Sequence, residues 1–130
     1  MKHLFIPYEL AIIAKEKGFD KQCLAFYNGK GDEMLQSIDT DFINFRSTGY
    51  CTTAPLYQQI IDWFREKYNI SILEALIPEG ARKAKPELFP GKHNFYLYFP
   101  DWNPTIPSNG TWGEYYEALD KVIKETFKLI

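Results

Sequence analysis

Apolar and polar positions recur along this chain with two periods, and the places where the period changes mark its elements. Residues 54–69 carry the sharpest helical pattern. At 100° per residue Tyr57, Ile60, Ile61, Phe64 and Tyr68 fall on one face, and Gln58, Gln59, Asp62, Arg65 and Glu66 fill the other. Pro55 suits a first turn, where its missing N–H has no partner to lose, and Thr52 or Thr53 supplies the capping side chain. Leu56 and Trp63 share an apolar shoulder beside the inner face. We read the shoulder as a contact with a sheet edge or loop; the alternative is a partner surface. A first helix is predicted over 7–17, with Leu10, Ile13 and Ala14 inward, Pro7 at its start, Gly18 as the left-handed stop and Phe19 packing back. At the other end Thr111 and Glu114 fit a capping box. After it Tyr115, Tyr116, Leu119, Val122, Ile123, Phe127 and Ile130 form one broad face, and Glu117–Lys121 and Asp120–Lys124 have the favourable helix ion-pair order. Lys124 and Lys128 suit the helix end.

Period two marks the strands. Over 22–28, Leu24 and Phe26 alternate with Cys23, Ala25 and Tyr27. The turn formers of 28–32 follow, and 34–38 returns as the second arm of a hairpin. Shorter evidence exists for a strand at 42–45. Residues 70–77 read as a strand stopped by Pro78, and over 93–99 Phe95, Leu97 and Phe99 alternate with Tyr96 and Tyr98. Strands in runs, with helices at the start, middle and end, predict an α+β fold: a small antiparallel sheet with about three helices packed on one face. Segments 78–92 and 100–110 hold three prolines each and read as irregular, exposed loops, the places to look for a binding surface.

Composition narrows the picture. A chain of 130 residues is expected to be a single domain, 1–130, burying roughly two-thirds of its unfolded surface. Its aromatic fraction of 17% predicts an aromatic-rich core. A net charge of −2 argues against a dedicated polyanion binder and is far too small for an acidic mimic of nucleic acid. Two cysteines do not make a disulfide scaffold. Pro7 interrupts an apolar run too short for a signal peptide, and no window approaches the roughly 18 apolar residues of a membrane span. The expectation is a soluble, cytoplasmic protein with reduced thiols and no membrane association.

Three stretches carry a family resemblance. The pattern Pro-x-Tyr-Gln-Gln-x-x-x-Trp-Phe-Arg-Glu-Lys-Tyr at 55–68 resembles a family of small phage- and prophage-encoded proteins of gut anaerobes. Lys-Glu-Lys-Gly-Phe-Asp at 15–20, followed by Cys23, is similar to that family's first helix and strand. Tyr-Tyr-Glu-Ala-Leu at 115–119, with the closing Lys-Leu-Ile, is similar to its last helix. The two proline-rich loops are outside the pattern. The family has no assigned activity, so the resemblance implies an α+β fold and a mobile-element setting and transfers no catalytic residue.

Candidate chemistry is sparse. Cys51, His93 and Asp101 are a nucleophile, a base and an orienter by type, but no local signature brings them together. His3, His93, Cys23 and Cys51 are scattered singly, without the paired spacing of a zinc site. Asp39 with Asp41 reads as a turn, and Asp62 with Glu66 as a wet helix face. No phosphate-binding glycine motif is present, and Gly29 and Gly31 belong to the hairpin turn. No enzyme, metal or cofactor is expected.

Two binding readings remain. Arg82, Lys83, Lys85 and Lys92 lie near Tyr96 and Tyr98, and cations beside exposed aromatics are what single-strand binding uses. The plainer account makes the lysines a solvated loop and the tyrosines a packing layer, and the acidic balance favours it. The leading expectation is therefore a non-catalytic accessory protein of a phage or mobile element that binds another protein. It would be a monomer or weak homodimer, with Leu56, Trp63 and Trp102 as candidate interface residues. A weak single-stranded nucleic-acid binder using the 82–98 region is the alternative.

Overall fold

Where helix and strand patterns alternate, the fold depends on which strands find each other. The computed structural model describes residues 2–28, 33–36, 51–76, 79–85, 93–99, 104–105 and 114–130. The chain divides into two compact units, residues 1–63 and 64–130. Each has its own three-stranded antiparallel sheet and its own helix laid on that sheet. The α+β class is as expected. The one small sheet is in fact two, and four α-helices are present among the described residues rather than about three.

In the first unit a 3-10 turn (Lys2–Leu4) leads to α1 (Tyr8–Glu16), β1 (Ala25–Asn28), β2 (Glu33–Gln36) and β3 (Cys51–Thr53). Helix α1 ends as its sequence predicts. Gly18 takes φ 87°, and the N–H groups of Gly18 and Phe19 donate to the carbonyls of Lys15 and Ala14 at 3.1 and 2.9 Å. This is the paired bonding of a Schellman stop, and it sends Phe19 into the core. Strand β1 is central. It pairs antiparallel with β2 (Asn28 opposite Glu33) and with β3 (Phe26 opposite Thr53). Its inward positions, Ala25 and Tyr27, continue the buried side begun by Cys23, while Leu24 is exposed. Tyr27 donates its hydroxyl to the Ile6 carbonyl and meets the Tyr8 ring edge-on at 5.4 Å. Helix α1 packs on β3, and Lys15 Nζ donates to the Cys51 carbonyl at 2.8 Å.

Helix α2 (Tyr57–Tyr68) starts later than its sequence suggests. Thr52 and Thr53 do not cap it; they are buried members of β3. The cap comes from inside the helix: Gln59 Oε1 accepts the Leu56 N–H at 2.9 Å, as the third residue of a capping box does. The same amide donates to the Gln22 carbonyl at 2.7 Å, so one side chain both starts the helix and ties it to the β1 entry. Leu56 itself is bridged to Phe5. At the far end Asn69 takes φ 56° and donates to the Arg65 carbonyl, a left-handed stop by the residue after glycine best suited to it.

In the second unit β4 (Ser71–Leu76) pairs antiparallel with β5 (His93–Tyr98), with Ile72 opposite Leu97. Strand β5 then pairs with β6 (Pro104–Thr105), so the order is β4-β5-β6. Helix α4 (Tyr115–Lys128) packs on β5 and buries Leu119, Val122, Ile123 and Phe127. Phe127 meets Phe64 edge-on at 5.1 Å. Each predicted loop contains regular structure: α3 (Glu79–Ala84) lies in the first and β6 in the second. The Lys83–Glu79 pair at 3.0 Å spans α3, and Pro104 is tolerated because β6 is an edge strand. The predicted capping box at 111–114 is not the start of α4. Glu114 is itself the cap residue, extended at φ −103°, and its side chain makes no capping bond among the described residues; Thr111 lies outside them. The strand predicted at 42–45 and the turn residues 29–32 lie outside them too.

Candidate functional site

Of the residues singled out for an interface, Trp63 is a core residue. Trp63 is 1% exposed and sits in the first unit's core, edge-on to Phe19 at 5.6 Å. A side chain so covered is unavailable to a partner, so the packing reading of the shoulder replaces the partner reading. Leu56 is half-buried at the helix cap. Trp102 lies outside the described residues.

The basic and aromatic set is spread over two elements. Arg82 and Lys83 are on α3, and Lys85 follows it directly. Lys83 and Lys85 are exposed, and Lys83 is already bonded to Glu79. Both partners of that pair are well solvated, so the bond is weak and the ammonium remains accessible. Tyr96 and Tyr98 are alternate positions of β5, opposite Leu73 and Ser71. Tyr98 is half-buried and also opposite Pro104 of β6. Lys92 lies outside the described residues.

The cysteines are separate and differ in character. Cys23 is buried, its thiol donates to the Lys21 carbonyl at 3.5 Å, and burial pushes its pKa up to about 12 against a smaller opposing bond with Thr53. Such a thiol is not a nucleophile. Cys51 is half-exposed on β3. His93 opens β5, and Asp101 lies outside the described residues. Among the described residues, no three His, Cys, Asp or Glu side chains stand together as metal ligands would.

Two features of the second unit escaped the sequence reading. Leu73 is 52% exposed on the sheet face opposite α4, where an antiparallel sheet ordinarily turns polar residues to water. The alternation of β4 held that signal, because Ile72 and Leu73 cannot both point inward. The second feature is at the start of α4. Tyr115, expected inward, is 39% exposed, and Tyr116 is half-buried. Their rings are 5.2 Å apart at 85°, and Phe95 lies 5.9 Å from Tyr115. Partial burial, then the negative charge of Glu74, raise the Tyr115 pKa.

No helix among the described residues is long and apolar enough to cross a membrane. Compared with family models, curated proteins and solved structures, the chain matches none.

Proposed function

We propose that this chain is a cytoplasmic, non-catalytic accessory protein of a phage or mobile element that works by binding another protein. The observation that carries the reading is Leu73. It stands on the outer face of the β4-β5-β6 sheet, more than half exposed, in a strand that pairs on one side only among the described residues. An apolar side chain on an edge strand suits an added strand or a small apolar contact from a partner. Cys23, buried and with its pKa pushed up, offers no nucleophile to compete with it. The mobile-element setting rests on the sequence resemblance at 15–20, 55–68 and 115–119.

The test compares wild type with Leu73→Glu as bait in lysate of a host carrying the element. A protein retained stoichiometrically by wild type and lost with Leu73→Glu is the expected result. Equal retention by both would remove this face from the account. The alternative, single-stranded nucleic acid bound through 82–98, predicts affinity that falls steeply with salt and is lost in Lys83→Ala/Lys85→Ala. We expect no measurable affinity at physiological salt. Light scattering should show a monomer or a weak homodimer.

A further inference from the structure

We propose that the outer edge of β4 pairs antiparallel with the same strand of a second copy of this chain, joining the two three-stranded sheets into one. This pairing rests on the reading of Leu73 as a docking surface and makes the second copy its occupant. The two edges of the β4-β5-β6 sheet differ. Strand β6 is two residues long and begins with Pro104, which has no N–H to offer a further strand. Strand β4 is six residues long, has no proline, lysine or arginine, and pairs with β5 in one unbroken register from Ser71 opposite Tyr98 to Leu76 opposite His93. Short strands, proline, lysine and bulges are the devices that keep sheet edges from joining. Strand β6 has two of them and β4 has none. Among the described residues β4 has β5 alone as a neighbour, so the backbone groups on its other side point away from the sheet.

Charge and symmetry select the register. Two identical antiparallel strands are related by a two-fold axis perpendicular to the sheet, which keeps Leu73 on the outer face of both copies. Opposed residues must share a face, so the axis passes through a residue. An axis through Leu73 sets it against its own copy and sets Ile72 against Glu74. Directly opposed side chains stand about 4.5–5.5 Å apart at Cβ, so each Leu73, 52% exposed in one chain, covers the other. Glu74 carries the strand's one charge and is exposed. In this register it is diagonal to its mate, about 7–8 Å away, close to the Debye length of about 8 Å at physiological salt, so the repulsion is mild. An axis through Glu74 would oppose the two carboxylates directly, and one through Ile72 would set Leu73 against Ser71.

Sedimentation velocity of the full chain from about 1 μM to about 1 mM, the range of weak association, tests the pairing. The expected result is a reversible rise from monomer to dimer mass, with β4 amides exchanging more slowly at the high concentration. Leu73→Glu and Leu73→Arg should each stay monomeric, because each sets like charges directly opposite; mixed together they should restore a dimer. That rescue separates a lost interface from a lost fold. Glu74→Gln should tighten the dimer about twofold to threefold, and added salt should tighten wild type but not this variant. A monomer throughout, a dimer unchanged by Leu73→Glu, no rescue on mixing, or a dimer with unslowed β4 amides each overturns the proposal. A monomeric chain that still loses a lysate protein on Leu73→Glu overturns the second copy as occupant and keeps docking at Leu73. A dimer that behaves as stated, with equal lysate retention by wild type and Leu73→Glu, keeps the pairing and removes the foreign partner.

Discussion

Replacing Phe127 with alanine tests the second unit's core at its most informative point. The ring is 2% exposed and meets Phe64 edge-on at 5.1 Å and 70°, one turn from Ile123. Removing it forfeits roughly 100 Å2 of buried apolar surface, worth about 2.5 kcal/mol at the usual coefficient. It also leaves a cavity that neighbours on a rigid helix fill only in part, and it deletes a ring pair worth about 0.5–1.5 kcal/mol. The expected loss is about 3–5 kcal/mol, the range for fully buried Phe→Ala changes. Leu129→Ala is the control: two residues away, at 55% exposure, it should cost less than about 0.5 kcal/mol. Urea melts followed by circular dichroism give both values, provided the slope is unchanged between variants. A double-mutant cycle with Phe64→Leu should return part of the ring-pair energy as coupling. A loss below about 1 kcal/mol for Phe127→Ala, or one equal to that of Leu129→Ala, would mean that the ring is not buried in solution and that α4 is a detachable tail.

Four further outcomes follow from the first unit. Gly18→Ala places a Cβ at φ 87° and should cost about 1–2 kcal/mol in thermal melts; a neutral change would show that α1 does not stop there. Gln59→Ala removes both the cap of α2 and its tie to Gln22, for about 1–2 kcal/mol, while the exposed Gln58→Ala should do little; equal effects would contradict the reading. With a thiol reagent at pH 8, Cys51 should label first, because Cys23 carries about a thousandfold less thiolate than an ordinary thiol and is covered. The folded pKa of Cys23 is raised, so its contribution to stability is complete below pH 9 and is lost as pH climbs toward 12; Cys23→Ala should flatten that alkaline decline.

Local signals settled whatever a few neighbouring residues could decide. Gly18 and Phe19 specify the end of α1 because only a left-handed residue allows both closing bonds, and glycine adopts that conformation without strain. The alternation of Cys23, Ala25 and Tyr27 named the inner face of β1, and Leu119, Val122, Ile123 and Phe127 named that of α4, since side-chain direction follows from period alone. Thr52 and Thr53 could not be placed this way. A threonine hydroxyl suits a helix cap as well as a short strand, and only β1, more than twenty residues earlier, made them β3. The helix in 79–84 and the strand at 104–105 were hidden by glycine and proline, whose local preference is for turns; β6 forms because β5 offers it a partner. Trp63 shows the limit most plainly. A helical wheel assigns one buried stripe, but α2 buries both Trp63 and Phe64, and the width of a helix's buried face depends on how many partners it meets. The same holds for Leu73 and for the Tyr115–Tyr116 pair: each residue's type was visible in the chain, but its exposure is a property of what packs against it, and distant segments supply that.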